Sequence, residues 1–176
     1  YPGSPRVGVI GGKHWLFVKV ETEEDIHGWG EAYTQLDRER NIEQHIHDLR
    51  RYLIGRNPFN IKHFTHMVYN DFANRRGSMD LYCAMSGIEQ ALWDIVGKKL
   101  NTPVYNLLGG LCRAKVRVYA NGWYAGARTP DEHAEMAAAT LKRGFNALKF
   151  DPFPGPWRLY IDKKDEEIAA ANIRAV

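Results

Sequence analysis

The chain has 176 residues, of which 44% are apolar and 26% are charged, a composition that is typical of globular domains. Its formal net charge of +3 comes from basic and acidic residues that are interleaved, which argues against a nucleic-acid-binding surface. No apolar run approaches the roughly 18 residues of a membrane-spanning helix, and the N-terminal stretch lacks the apolar core of a signal peptide. Cys83 and Cys112 are too few for a disulfide framework, so we expect both to be reduced and structural and the protein to be cytoplasmic.

The N-terminal part of the sequence predicts a β-hairpin followed by helices. Residues 15–21 and 26–31 are rich in apolar and β-branched types and flank the turn sequence TEED. Two glycines surround a tryptophan in the second strand, which indicates either close backbone packing or a positive φ. Apolar residues at helical spacing then predict helices over residues 40–55, 60–72 and 80–100. Strands and helices in separate groups are typical of an α+β domain.

From about residue 113 the pattern changes to alternating strands and helices. Residues 115–121 predict a strand, and residues 129–144 predict a helix with a capping box at its start. Residues 146–150 predict a second strand, and residues 164–176 predict a second helix. Two parallel β/α units cannot cover both faces of a parallel sheet. We therefore interpret the chain as a fragment of a larger α/β domain, in preference to an unusual packing of these elements.

The second of these strands carries two charged residues, Lys149 and Asp151. Because side chains alternate along a strand, residues two apart are expected to face the same side. The alternative is that the two side chains form a structural ion pair. The histidines His63 and His66 also lie one helical turn apart, but without a third ligand we interpret them as a solvated helix face rather than a metal site.

Several segments together resemble the enolase superfamily. They are GWGEA at residues 28–32, SGIEQALWDIVGKKLNTPVYNLLGG at residues 86–110, and the strand sequences VRVYAN and ALKFD. The chain is similar to the mandelate racemase-like branch and, within it, to acid-sugar dehydratases of the galactonate, gluconate and mannonate type. The resemblance implies an α+β capping domain over residues 1–112, followed over residues 113–176 by the first two units of a (β/α)₇β barrel related to the TIM barrel.

The resemblance implies magnesium-dependent dehydration of an aldonic acid to a 2-keto-3-deoxy acid, through removal of the proton α to the carboxylate and an ene-diolate intermediate. It also implies that the Mg²⁺ ligands are carboxylates on later barrel strands, so we expect no metal ligands within residues 1–176. The expected partners are a small acid-sugar substrate and further copies in a homo-oligomer, with no nucleic acid and no membrane. The alternatives are a racemase, epimerase or cycloisomerase of the same superfamily, and a non-catalytic binding or assembly module.

The resemblance places the candidate catalytic residues at the ends of the barrel strands and in the loops that follow them. Lys149 matches the first position of a lysine-x-lysine motif of the family, and it could neutralise a substrate carboxylate or, if desolvated, act as a base. Asp151 stands where the second lysine would be, which argues mildly against a racemase. Tyr160 lies in the long loop after Asp151, where mannonate-type relatives use a tyrosine.

The remaining candidates are predicted to bind the substrate. Asn121 ends the first barrel strand, where it could bond a sugar hydroxyl or simply begin a turn. In the family, a loop after the hairpin and a hinged N-terminal flap cover the mouth of the barrel. The candidates in these two loops and in the long loop after the second strand are Tyr33, Gln35, Arg6, His14, Trp157 and Arg158.

Overall fold

The fold was analysed in a computed structural model. The chain divides into two compact units, residues 1–112 and 113–176. None of the described helices combines the length and the apolar character that a membrane span needs. The structure describes residues 14–34, 38–73, 77–154 and 160–176.

The first unit begins with an antiparallel hairpin, as predicted. Its strands are β1 (Leu16–Glu21) and β2 (His27–Ala32), and the register pairs Leu16 with Ala32. In the turn between the strands, Asp25 has a φ of 62°, a left-handed conformation that aspartate tolerates better than most residues. The predicted hairpin is therefore confirmed.

The helices of the first unit follow the predicted apolar stripes, but two of them end early. The α-helical hydrogen-bond pattern of the first two changes in the last turn, to a 3₁₀ turn at Arg50–Tyr52 and to a π turn at Tyr69–Ala73. The predicted helices over residues 40–55 and 60–72 are therefore too long as α-helices. The helices are α1 (Glu39–Leu49), α2 (Ile61–Val68), α3 (Met79–Lys99) and the short α4 (Val104–Leu107).

The core of the first unit lies where α3 packs against the hairpin. A Cβ atom on Gly28 would lie 1.9 Å from the carbonyl oxygen of Ala91, and one on Gly30 would lie 1.9 Å from that of Gly87. Neither strand glycine has a positive φ. Of the two reasons that the sequence suggested for these glycines, close backbone packing is therefore the correct one. The buried apolar side chains around this contact include Val18, Ile42, Leu49, Phe64, Val68, Ile88, Leu92 and Ile95.

The second unit contains a short parallel strand pair, β3 (Ala120–Asn121) and β4 (Leu148–Lys149). The predicted strands over residues 115–121 and 146–150 were wrong in extent, because only two residues of each pair with a neighbour. In the part of the chain that the structure describes, neither strand has a second neighbour. A strand-forming sequence depends on packing against its neighbours, and the β-branched side chains before β3 are largely exposed here.

Both helices of the second unit begin with a capping box. In α5 (Pro130–Lys142), the Thr129 hydroxyl accepts a 3.2 Å hydrogen bond from the Glu132 N–H, and the Glu132 carboxylate accepts one of 3.2 Å from the Thr129 N–H. The backbone N–H groups of Arg128 and Thr129 lower the pKa of Glu132. The second helix, α6 (Lys163–Ala175), is capped in the same way by Asp162. These start signals were readable in the sequence of α5.

The two cysteines are both free, but they lie in different environments. Cys83 is buried in α3, and burial, followed by the nearby Asp80 charge, raises the pKa of its thiol. Cys112 is exposed. Burial therefore supports the expected structural role for Cys83, and the role of Cys112 stays a prediction.

Candidate active site

The parallel pairing of β3 and β4 brings two of the predicted site residues side by side. Asn121 is the register partner of Lys149, and each is the last residue of its strand. Parallel strands present their carboxyl ends at the same edge of a sheet, which is where the active sites of β/α barrels lie. The backbone of the second unit therefore places these two polar side chains at one edge.

The Lys149 side chain is exposed. Its Nζ atom lies 5.9 Å from the centroid of the Tyr119 ring, a distance at which the cation–π contact is weak. Among the described residues, no carboxylate forms an ion pair with this amine, so the alternative of a structural pair with Asp151 is not observed. The desolvation that would let Lys149 act as a base is not observed within the second unit either, because the side chain is exposed.

Asp151 lies beyond the strand rather than within it. Its Oδ1 atom accepts a 3.3 Å hydrogen bond from the Phe153 N–H, the geometry of a turn that an aspartate side chain closes on its own backbone. The prediction that Lys149 and Asp151 share one strand face was wrong in its premise, because β4 ends at Lys149. The alternation of side chains along a strand therefore does not determine where the Asp151 carboxylate points.

Asn121 takes part in the turn that follows β3. Its Oδ1 atom accepts a 2.9 Å hydrogen bond from the Gly122 N–H, and Gly122 has a φ of 72°, which favours glycine. The turn that was the alternative interpretation of Asn121 is thus formed. In the described part of the chain the Nδ2 group has no hydrogen-bond partner, so it remains available to donate to a ligand.

Sequence reasoning missed a group of residues that support the end of β4. The Trp123 Nε1–H donates a 3.0 Å hydrogen bond to the Lys149 carbonyl oxygen, and the Trp123 ring centroid lies 5.3 Å from that of Phe150. Tyr124 and the buried His133 complete this strand-end cluster, with their ring centroids 6.4 Å apart and their planes inclined by 19°. The sequence signal that could have revealed the cluster is the aromatic pair directly after the turn that ends β3.

A side chain of α6 also forms a hydrogen bond to the backbone that follows β4. Asn172 is 4% exposed, and its Nδ2 group donates a 2.9 Å hydrogen bond to the Pro152 carbonyl oxygen. The Oδ1 atom of Asn172 is buried and has no partner in the part of the chain that the structure describes. Nothing in the sequence distinguished this asparagine from the polar face of the helix.

In the first unit, two predicted substrate-binding residues lie at the open end of the hairpin. His14 precedes β1 and Tyr33 follows β2, and the buried Thr34 hydroxyl donates a hydrogen bond to the His14 carbonyl oxygen. The His14 Nδ1 atom is 3.6 Å from a carboxylate oxygen of Glu39. Tyr33 itself is 53% exposed. This end of the hairpin is therefore polar and accessible within the first unit.

The other predicted residues have no contact with β3 or β4 that the structure describes. Tyr160 is 74% exposed. The remaining candidates lie outside the described residues; they are Arg6, Gln35, Trp157 and Arg158.

The described residues do not fit a magnesium site. Among them, no three or more histidine, cysteine, aspartate or glutamate side chains are grouped so that they could hold a metal ion. The His66 Nε2 atom lies 2.8 Å from the Nδ2 atom of Asn70, so this ring is engaged on its own helix.

The first unit matches a known family. The family model described as "Mandelate racemase / muconate lactonizing enzyme, N-terminal domain" matches residues 4–109. The chain belongs to this family. A D-galactonate dehydratase from Ralstonia pickettii is 46% identical over 137 residues, which make up 78% of this chain and 35% of that protein. One from Xanthomonas oryzae pv. oryzae is 41% identical over 151 residues, 86% of this chain and 36% of that protein.

Solved structures agree in fold. A crystal structure from Mesorhizobium loti, 39% identical, matches 93% of this chain and 45% of its own with a TM-score of 0.86. The mandelate racemase/muconate lactonizing enzyme from Sulfitobacter sp, 32% identical, matches 98% of this chain and 46% of its own with a TM-score of 0.81. The chain thus spans about a third of the length of the curated relatives that it matches. The predicted family and the predicted N-terminal fold class are confirmed.

Proposed function

We propose that the protein to which this chain belongs removes water from an aldonic acid of the galactonate type and forms a 2-keto-3-deoxy acid. The observation that carries this proposal is the identity of 46% and 41% to two D-galactonate dehydratases. The longer of these alignments has 151 residues, more than the first unit contains, so the similarity includes part of the second unit.

The chemistry requires a cation where charge develops. Removal of the proton α to a carboxylate concentrates negative charge on the carboxylate oxygens, and positive groups aimed at those oxygens lower the barrier. Lys149 is the residue of this chain that we propose for that role, because its side chain is exposed at the carboxyl edge of β4 and forms no ion pair with any carboxylate that the structure describes. We favour this role over that of a base, because the desolvation that a lysine base requires is not observed within the second unit.

The leaving hydroxyl needs a proton, and the sugar hydroxyls need hydrogen-bond partners. Asp151 is our candidate in this chain for moving a proton, although one of its oxygens already accepts the Phe153 N–H. The Nδ2 group of Asn121 is our candidate donor to a sugar hydroxyl. We propose Tyr160 as a further catalytic group; the proposed substrate contacts from the loops are Arg6, His14, Tyr33, Gln35, Trp157 and Arg158.

The proposal includes Mg²⁺ as the cofactor, a homo-oligomeric assembly and a cytoplasmic location. We expect the metal ligands outside residues 1–176. The roles proposed for Lys149, Asp151 and Asn121 do not require these residues to bind the metal. The racemase alternative is disfavoured by Asp151, which stands in place of the second lysine of the family motif.

A screen of the full-length protein against aldonic acids, with and without Mg²⁺, tests the proposal. We expect a 2-keto-3-deoxy product from galactonate in the presence of Mg²⁺, with slower turnover of its diastereomers gluconate and mannonate. The same reactions run in D₂O and followed by proton NMR separate the alternatives. Exchange of the α-proton without loss of water would indicate a racemase or epimerase, and the absence of both changes for every substrate would contradict the dehydratase proposal.

A further inference from the structure

The segment Lys149–Pro152 is held by a hydrogen bond at each end. At its start, the Trp123 indole N–H donates to the Lys149 carbonyl oxygen over 3.0 Å. At its end, the Asn172 side chain donates to the Pro152 carbonyl oxygen over 2.9 Å. The two donors come from different elements, the turn after β3 and the helix α6. The backbone between them carries both Lys149 and Asp151.

The side chain in the middle of the segment is also fixed. The Phe150 ring lies 5.3 Å from the Trp123 ring and 6.1 Å from the His133 ring, measured between centroids. His133 is 5% exposed, and its Nδ1 atom lies 2.8 Å from the Thr129 carbonyl oxygen, so its ring orientation is set by α5. Packing of this kind restricts the rotation of the backbone that carries Phe150.

We propose that Trp123 and Asn172 are positioning residues that fix the segment Lys149–Pro152 and thereby aim the Lys149 amine and the Asp151 carboxylate. Within the described residues, β4 pairs over two residues with one neighbour, and Asp151 and Pro152 lie beyond that pairing. The two donors bind carbonyl oxygens three residues apart and so constrain this segment from two different elements. The proposal rests on the proposed function, in which Lys149 meets the substrate, and it adds the residues that hold Lys149 in place.

Positioning of this kind has a measurable effect on turnover. A displacement of about 1 Å at a reacting group can cost up to about a hundredfold in rate, although the displaced residue itself remains intact. Replacement of Trp123 by phenylalanine keeps an aromatic ring beside Phe150 and removes the N–H donor. Replacement of Asn172 by leucine keeps the approximate volume and removes the second donor.

Hydrogen exchange in the full-length protein tests the two hydrogen bonds without reference to activity. In Trp123→Phe we expect the amides of residues 148–150 to exchange about fivefold faster, the factor of one hydrogen bond of ordinary strength. In Asn172→Leu we expect the faster exchange at the amides of Asp151 and Phe153, because Pro152 and Pro154 have no N–H. Trp29→Phe is the matched control, because Trp29 lies on β2 in the first unit. It should leave the exchange rates of residues 148–154 unchanged. Unchanged exchange in both test variants would overturn the proposal.

A double-mutant cycle tests whether Trp123 acts through Lys149. We expect Trp123→Phe to lower kcat about tenfold when Lys149 is present and less than about twofold in the Lys149→Ala background. An equal loss in both backgrounds would overturn the positioning role, since a general structural defect lowers both activities alike. If the unmutated protein dehydrates no aldonic acid, the proposed function fails, and the exchange measurement still decides whether the two hydrogen bonds hold the segment.

Discussion

The Asp94 carboxylate of α3 accepts a 2.9 Å hydrogen bond from the backbone N–H of Trp29 in β2. Gln90, one turn earlier on the helix, accepts from the Glu31 N–H at 3.1 Å and donates to the Glu31 carbonyl oxygen at 3.2 Å. Lys98, one turn later, donates to another carbonyl oxygen of β2 at 2.8 Å. Among the described residues β2 pairs with β1 alone, and these helix side chains occupy polar backbone groups of β2 that could otherwise pair with another strand.

The Asp94 contact predicts a stability that depends on pH. Partial burial opposes charge on Asp94, but hydrogen bonds from Lys98 and from the Trp29 N–H outweigh it and lower the pKa of this carboxyl below its ordinary value of 3.8. A lowered folded-state pKa gives a stabilisation that is present above the ordinary pKa and is lost as the pH falls through the folded-state value. We expect Asp94→Ala to lose about 1 to 2 kcal/mol of unfolding free energy at neutral pH.

Urea unfolding of the unmutated protein and of Asp94→Ala, measured at several pH values from neutral to acidic, checks this prediction. The difference in unfolding free energy between the unmutated protein and Asp94→Ala should shrink as the pH falls below about 4. Asp48→Ala, on the exposed surface of α1, is the control and should change stability by less than about 0.5 kcal/mol. A difference that stays constant down to the acid limit would show that the charge of Asp94 contributes nothing.

The glycines of β2 predict a steric defect of a different kind. In Gly28→Ala the added carbon would lie 1.9 Å from the Ala91 carbonyl oxygen, so the helix must move away from the strand. We expect a loss of about 3 kcal/mol or more in unfolding free energy, measured by denaturant titration. Gly55→Ala is the comparison: no atom lies within 4 Å of its Cβ position, and only its φ of 70° opposes the change. Its cost should be about 1 kcal/mol; equal costs would contradict the packing explanation.

Replacement of Lys149 tests its proposed role in charge stabilisation. In the full-length protein we expect Lys149→Ala to lower kcat at least about a hundredfold, a loss of roughly 3 kcal/mol in transition-state stabilisation. Lys149→Arg, which keeps a positive charge, should retain more activity than the alanine variant. Lys142→Ala, at the exposed end of α5, provides the matched control and should turn over normally. Near-normal turnover of Lys149→Ala would make this lysine a structural residue.

Two replacements of Asn121 separate its turn from its proposed substrate contact. Asn121→Asp keeps an oxygen that can accept the Gly122 N–H but removes the Nδ2 donor, whereas Asn121→Ala removes both. If the Nδ2 group donates to a sugar hydroxyl, both variants should raise KM by about fivefold to tenfold, the effect of one hydrogen bond. Steady-state kinetics with galactonate make the comparison. A normal KM in Asn121→Asp would leave Asn121 with the turn alone.

The features that local sequence specifies were predicted correctly. Thr129 and Glu132 satisfy each other's backbone groups within a single turn, so the start of α5 needs no distant partner. The hairpin is likewise determined by a short turn between two strand-forming segments. The apolar stripe of α3 repeats over its whole length, so the helix could be predicted although its end residues are less clearly marked in the sequence.

The features that the sequence did not specify depend on residues far apart in the chain. The extent of β4 depends on the strand that lies beside it. Because β4 ends at Lys149, strand alternation could not predict the direction of the Asp151 side chain. The Trp123 contact joins residues 26 positions apart, and no local pattern identifies an indole as the donor to a particular carbonyl oxygen. The choice between crowding and positive φ at Gly28 also required the position of Ala91.

The helix that covers β2 has a consequence for synthesis of the chain. Its edge-covering side chains follow the strand residues that they contact by 59 to 71 positions. At about 5 to 20 residues per second, the ribosome needs roughly 3 to 14 seconds to make that stretch. During this interval a hairpin on one nascent chain can pair with a hairpin on the next. Slow codons between the strand and the helix would therefore lengthen the period in which neighbouring nascent chains on one messenger RNA can join.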